Sequence, residues 1–119
     1  MESNDAIKRL SALAQDGRLA VFRLLVKAGP DGLAAGEIAR RLDIPPNTLS
    51  AQLTVLSNAG LATGRRDGRS IIYAAGYDGM IELLRYLMED CCDGRPEVCA
   101  PLARAVDDAS RCGRAGEEA

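Results

Sequence analysis

Histidine is absent from this chain of 119 residues. Without it, a cysteine nucleophile lacks its usual general base, so a catalytic role for the cysteines is disfavoured. The Cys-x-x-Cys spacing of thioredoxin-like enzymes and of many structural zinc sites is also missing. We therefore expect a protein that is not an enzyme and that has no organic cofactor.

Long apolar runs are missing as well. No stretch approaches the roughly eighteen uncharged apolar residues that a membrane-spanning helix needs. The opening residues Met1–Asp5 are polar and acidic, unlike a signal peptide. We therefore expect a cytoplasmic protein with no membrane partner. In that reducing compartment, the four cysteines are better explained as metal ligands or redox thiols than as a disulfide framework.

Charge is unevenly distributed, although the net charge is only −2. Residues 37–75 carry five arginines and three acidic side chains, whereas residues 76–119 carry five basic and ten acidic side chains. The middle of the chain is therefore its mildly basic part. A basic region of this kind is sufficient for contacts to DNA phosphates if a dimer presents it twice.

Apolar spacing predicts a series of short helices. The first contains Ile7, Leu10 and Leu13, with Ser3 or Asn4 as its N-cap, and Asp16-Gly17 interrupts it. Further helices are predicted over the ranges Leu19–Val26, Leu33–Leu42, Asn47–Ala59 and Met80 to about Asp90. Residues 1–92 form the predicted folded domain, and residues 93–119 form a cysteine-containing tail.

The segment from Leu33 to Ala75 has the order of a winged helix-turn-helix. Two short helices flank the break at Asp43–Pro46, and two β-like runs, Leu61–Arg65 and Ile71–Ala75, flank an Asp-Gly turn. The second helix buries leucines on one face and presents short polar side chains on the other, as a helix in the DNA major groove requires. The predicted outward side chains are Asn47, Ser50, Ala51 and Thr54, and the predicted phosphate contacts from the hairpin are Arg65, Arg66 and Arg69.

In this order, the segments resemble the ArsR family of metal-responsive winged-helix repressors from about Ile7 to Cys99. Leu33–Ala39 is similar to the family's first motif helix, Ile44–Leu56 to its recognition helix, and Arg65–Tyr73 to its wing. The resemblance implies a mainly α fold with a small β-hairpin, and a homodimer joined through the first and last helices. It also implies operator contacts from Asn47, Thr48, Ser50, Ala51 and Gln52. Many relatives carry histidine at the positions of Ala51 and Gln52, and the departure at Ala51 removes a polar contact that bears on the operator sequence.

The four cysteines, Cys91, Cys92, Cys99 and Cys112, all follow the hairpin. Trivalent arsenic prefers soft thiolate ligands and needs only three of them, and Gly94 and Pro96 allow the chain to fold back between Cys92 and Cys99. The pattern resembles the arsenical-sensing subgroup whose thiols follow the last helix. We therefore predict that Cys91, Cys92 and Cys99 bind As(III) or Sb(III) and release the repressor from double-stranded operator DNA.

Several alternatives remain open for these cysteines. They could respond to another soft metal, or form a redox-sensitive disulfide between Cys99 and either Cys91 or Cys92. They could also be packing residues with no sensing role. Cys112 could complete a four-thiolate zinc site, although the polar tail around it favours a mobile position. The chain could also sequester a metalloid without binding DNA, or repress constitutively with inert cysteines.

Overall fold

The computed structural model describes residues 1–88 together with Pro101, Arg104 and Ala105. The elements are α1 (Ser3–Leu13), α2 (Asp16–Ala28), β1 (Leu33–Ala34), α3 (Ala35–Leu42), α4 (Pro46–Asn58), β2 (Ala62–Asp67), β3 (Ser70–Ala75) and α5 (Tyr77–Met88). The prediction of a mainly helical fold with a small β-hairpin is confirmed, and β1 adds a third strand to that hairpin. Within the described residues, no helix has both the length and the apolar character needed to cross a bilayer.

The chain divides into two compact units, Met1–Tyr86 and Leu87–Ala119. The first unit contains the whole sheet, α1 to α4 and most of α5. In the second unit, Leu87 and Met88 end the described part of α5, and the three further described residues are helical and exposed.

The ends of the first two helices are fixed by local hydrogen bonds. Glu2, rather than Ser3 or Asn4, caps α1, and it forms a reciprocal capping box with Asp5. Gln15 caps α2 by accepting a hydrogen bond from the Arg18 N–H at 2.8 Å. The interruption predicted at Asp16-Gly17 is therefore the first turn of α2.

Leu33 and Ala34 form a strand, which corrects the prediction that α3 begins at Leu33. Leu33 pairs with Tyr73 and Ala34 pairs with Ile72, so β1 is an edge strand of a three-stranded sheet of order β1-β3-β2. The cause is a long-range contact, because β3 offers backbone hydrogen-bonding groups that helix periodicity within residues 33–42 cannot reveal.

Helices α3 and α4 are joined by a tight turn at Asp43. This residue adopts the left-handed conformation with φ 52°, and its N–H donates to the Arg40 carbonyl at 3.3 Å. Pro46 is the first residue of α4, one position before the predicted start. Proline suits this position because the first helical N–H groups have no intrahelical partner.

The end of α4 is closed by Gly60. Its N–H donates to the Ser57 carbonyl at 3.0 Å, and the Leu61 N–H donates to the Leu56 carbonyl at 2.9 Å. These two bonds form a Schellman motif, which requires the positive φ of 77° that Gly60 adopts. Leu56 and Leu61 are both fully buried, and their packing accompanies the motif.

The hairpin turns at Gly68 and Arg69, because Asp67 pairs with Ser70. The predicted Asp-Gly signal therefore marks the turn correctly to within one residue. Gly68 has a φ of 63°, as favoured at the first position of a type II′ hairpin turn.

The core lies between α2, α3, α4 and the base of the hairpin. Its fully buried large side chains are Val21, Leu25, Ile38, Leu49, Leu56 and Leu61. Ala39 and Leu53 are likewise buried. This core fixes the position of α4 relative to the hairpin.

Candidate nucleic-acid interface

Helix α4 has one buried face and one exposed face, as its leucine spacing predicts. Leu49, Leu53 and Leu56 are at most 2% exposed. The exposed side carries five of the predicted DNA contacts, namely Asn47, Thr48, Ser50, Ala51 and Thr54. No acidic residue occurs in α4, so this face has no charge that would repel phosphate.

Thr54 differs from the other exposed residues because its hydroxyl is already engaged. Its Oγ1 donates to the backbone carbonyl of Ser50 at 2.9 Å. Because this bond uses the hydroxyl hydrogen, the Thr54 oxygen can only accept a further hydrogen bond. A base amino group is therefore a better partner for Thr54 than a base carbonyl.

Gln52 lies on a different side of α4 from the exposed contacts. It is half-buried, and a Cβ added to Gly17 of α2 would overlap its Nε2 atom. Its Oε1 is buried and has no hydrogen-bond partner within the described part of the chain. The helix period explains the placement, because position 52 lies next to Leu56 on the helix wheel, at the edge of the buried stripe. Its role as a DNA contact stays a prediction.

The three arginines of the hairpin divide into one anchored side chain and two exposed ones. Arg65 Nη2 donates to the Asp31 carbonyl at 3.1 Å, which ties β2 to the loop after α2. The side chains of Arg66 and Arg69 make no hydrogen bond or ion pair with another described residue. Their guanidinium groups are therefore available to phosphates.

A groove joins the recognition face to the hairpin, a feature that the sequence patterns did not predict. Its cavity volume is about 390 Å³, and its lining includes Ser50 of α4, Arg69 and Ser70 at the turn, and the side chains of Ile71 and Tyr73. Ser50 and Arg69 thus face the same space although they are distant in sequence. A polynucleotide backbone in this groove would meet the Arg69 cation and the hydroxyl groups of Ser50, Ser70 and Tyr73.

The basic side chains of α3 are partly neutralised. Glu37 accepts hydrogen bonds from Arg40 and from Arg41 Nε, the latter at 2.8 Å. These bonds lower the pKa of Glu37 to about 2, and the bond from Arg40 contributes most. The bond to Glu37 also raises the pKa of Arg40. The triad keeps a net positive charge beside the recognition helix.

An apolar surface lies apart from this interface, on the first and last helices. Ile7 and Leu10 of α1 are 60% and 42% exposed, and Ile81 and Leu84 of α5 are 47% and 45% exposed. Leu83, on the opposite side of α5, is buried. The structure therefore leaves apolar side chains of α1 and α5 uncovered in a single chain, as the predicted dimer interface requires.

The predicted thiolate ligands Cys91, Cys92 and Cys99 lie outside the described residues, and so does Cys112. Among the residues that the structure describes, no group of three or more cysteine or acidic side chains is placed to hold a metal ion. The thiolate site therefore stays a prediction.

Comparison with known proteins gives the chain a family context. A family model described as "Helix-turn-helix domain" matches residues 13–65. The putative arsenical resistance operon repressor of Halobacterium salinarum is 40% identical over 60 residues, which are 50% of this chain and 46% of the relative. The chain spans between 46% and 70% of the length of the curated relatives that it matches.

Two solved structures extend this likeness to three dimensions. HlyU from Vibrio cholerae is 32% identical, with a TM-score of 0.58, over 73% of this chain and 97% of that protein. A homodimeric winged helix-turn-helix DNA-binding domain from Mycobacterium bovis, a possible ArsR-family regulator, is 25% identical with a TM-score of 0.59. That match covers 76% of this chain and 83% of the other.

Proposed function

Because the chain belongs to the ArsR family of winged helix-turn-helix transcriptional regulators, we propose that it is a homodimeric repressor that trivalent arsenic or antimony releases from operator DNA. The relatives are transcriptional regulators, not enzymes. The proposal has three parts, which concern DNA binding, dimerisation and the inducer.

The placement of Ser50 and Arg69 on one groove carries the DNA-binding part. The exposed short side chains of α4 suit the edges of bases in the major groove, where a helix fits. The free arginines Arg66 and Arg69 suit the flanking phosphates, which supply sequence-independent affinity. Arg65 supports this arrangement by holding the hairpin on the loop after α2.

The exposed apolar surface of α1 and α5 supports the dimer. Each half-exposed leucine or isoleucine there gains roughly 1 kcal/mol on complete burial, about half the value for a fully exposed side chain. The homodimeric Mycobacterium bovis domain is a precedent within a similar fold. A two-fold dimer presents two recognition helices about 34–36 Å apart, which matches one turn of the DNA double helix.

The inducer part depends on the chemistry of Cys91, Cys92 and Cys99. Three thiolates provide the soft donor set that trivalent arsenic and antimony prefer, and all three belong to one protomer. The name of the Halobacterium salinarum relative refers to arsenical resistance and supports this choice. If the inducer binds the free dimer more tightly than the DNA-bound dimer by about 1–3 kcal/mol of binding free energy, it weakens operator binding about 5- to 150-fold.

A thiol redox switch is the second candidate. It is favoured by the likeness to HlyU from Vibrio cholerae, of which a structure of the reduced protein is 31% identical to this chain. A switch of this kind needs two cysteines and an oxidant, whereas the metalloid site needs three thiolates and no oxidant.

A titration separates these possibilities. Labelled duplexes selected by the reduced protein from a random pool are titrated with protein alone, with arsenite and with peroxide. The proposal predicts salt-sensitive binding that arsenite reverses and peroxide does not. A protein that binds arsenite but no duplex would be a sequestering protein, and one that ignores both reagents would be a constitutive repressor.

A further inference from the structure

Arg9 of α1 joins three helices at one point. Its side chain is only 17% exposed. The Nη1 atom donates to the Gly79 carbonyl at 2.8 Å and to Glu82 Oε2 at 3.1 Å, and both partners belong to α5. The Nη2 atom lies 3.4 Å from the position that a Cβ on Gly60 would occupy, at the end of the recognition helix α4.

The contact between α4 and α5 at this point is made by backbone atoms. A Cβ on Gly76 or on Gly79 would overlap the carbonyl oxygen of Gly60. The first turn of α5 therefore lies directly against the end of α4, with no side chain between them. Glycine within a helix costs about 1 kcal/mol relative to alanine, so Gly79 is a disfavoured residue that this close approach explains.

We infer that Arg9 is a positioning residue that sets the angle between the recognition helix and the α1–α5 pair. The inference rests on the proposed function, in which α1 and α5 form the dimer interface and α4 enters the major groove. One backbone hydrogen bond, from the Gly76 N–H to the Leu61 carbonyl at 2.9 Å, also joins the two segments, and α5 can still pivot about it. The guanidinium restricts this pivoting, because it is bonded to α5 at two acceptors while it covers the end of α4.

The consequence concerns the spacing of operator half-sites. In a two-fold dimer, the angle between α4 and the interface helices fixes the separation and direction of the two recognition helices. A rigid junction accepts one half-site spacing. A loosened junction lets each recognition helix adjust separately, so the dimer accepts several spacings.

The experiment compares duplexes that differ only in spacing. A duplex of about 30 base pairs, enough for two half-sites, is selected by the wild-type protein from a random pool, and one base pair is then added or removed at its centre. We expect the wild type to bind the selected duplex at least about tenfold more tightly than either altered duplex, the factor for one lost base contact. In Arg9→Met, this preference should fall below about threefold, with dimerisation and random-duplex affinity retained.

Lys8→Met is the matched control. Lys8 is an exposed neighbour on α1 whose substitution removes the same charge, so it should keep the wild-type spacing preference. A folded, dimeric Arg9→Met with the wild-type preference would overturn the inference, and so would a monomeric Arg9→Met. If Arg9→Met does not fold, Glu82→Ala decides, since an unchanged preference in that variant also overturns it. A wild-type protein that selects no duplex would instead refute the proposed function itself.

Discussion

Gln52 on the recognition helix packs against Gly17 in the first turn of α2, and its Oε1 is buried without a partner among the described residues. A buried acceptor without a hydrogen bond costs about 1–3 kcal/mol. Gln52→Met keeps the length of the side chain and removes that acceptor. We therefore expect its free energy of unfolding to rise by about 1 kcal/mol in chemical denaturation.

A stability loss of similar size in Gln52→Met would show that the amide has a partner after all. The same variant tests the predicted DNA contact. If the operator duplex alone loses affinity while random duplexes bind normally, Gln52 reads a base in the complex. Gln15→Met is a suitable control near the same turn, because it removes the hydrogen bond that caps α2 and should lower stability.

The wing and the recognition helix should respond differently to substitution. Arg66→Ala or Arg69→Ala should weaken binding to every duplex. Each should also reduce the slope of log binding constant against log salt concentration by about one per lost phosphate contact. Ser50→Ala or Asn47→Ala should lower affinity for the selected duplex more than for random duplexes. Binding is measured at several salt concentrations, with the exposed Arg23→Ala on α2 as the control. Unchanged salt dependence in both wing variants would contradict the assigned interface.

A charge on the apolar surface should prevent dimerisation. Leu84 is 45% exposed on α5, and a glutamate there would be buried without a partner in the proposed dimer. We expect Leu84→Glu to sediment as a monomer and to bind the selected duplex at least about tenfold more weakly, since one of two half-sites is lost. Val26→Glu on α2, 38% exposed, is the matched control. A monomeric wild type, or a dimeric Leu84→Glu, would refute this interface.

The Glu37 triad gives the protein a defined dependence on pH. Because its arginine partners lower the pKa of Glu37 from 4.5 to about 2, the carboxylate stabilises the fold above pH 4.5. That contribution is lost as the pH falls toward 2. Glu37→Gln should therefore be less stable than the wild type at pH 7, and the difference should shrink on acidification. A difference that stays constant between pH 7 and pH 2, measured by thermal unfolding, would contradict this role.

The sequence predicts those features that depend on local periodicity and turn chemistry. Leu49, Leu53 and Leu56 mark the buried face of α4, and Gly68 marks the hairpin to within one residue. The strand at Leu33 escapes prediction because its partner Tyr73 lies forty residues further along the chain. The shared groove of Ser50 and Arg69 and the contacts of Arg9 are also long-range, so no short pattern reveals them.

Some parts of the candidate site follow from the sequence, and others depend on long-range contacts. The exposed residues of α4 follow from the helix wheel, and Gln52 departs from them because it borders the leucine stripe. The separate role of Arg65 depends on the Asp31 carbonyl, whose position the sequence cannot give. The thiolate site stays a prediction from cysteine spacing and chemistry alone.

The most direct test of the account is arsenite-induced release from the selected duplex, measured for the four single cysteine-to-serine variants. Serine is a poor ligand for a soft metalloid, so Cys91→Ser, Cys92→Ser and Cys99→Ser should each bind DNA normally and fail to release it. Cys112→Ser should respond like the wild type, and zinc and peroxide should release none of the proteins. If Cys112→Ser fails as completely as Cys99→Ser, or if peroxide releases the wild type, the three-thiolate account is contradicted.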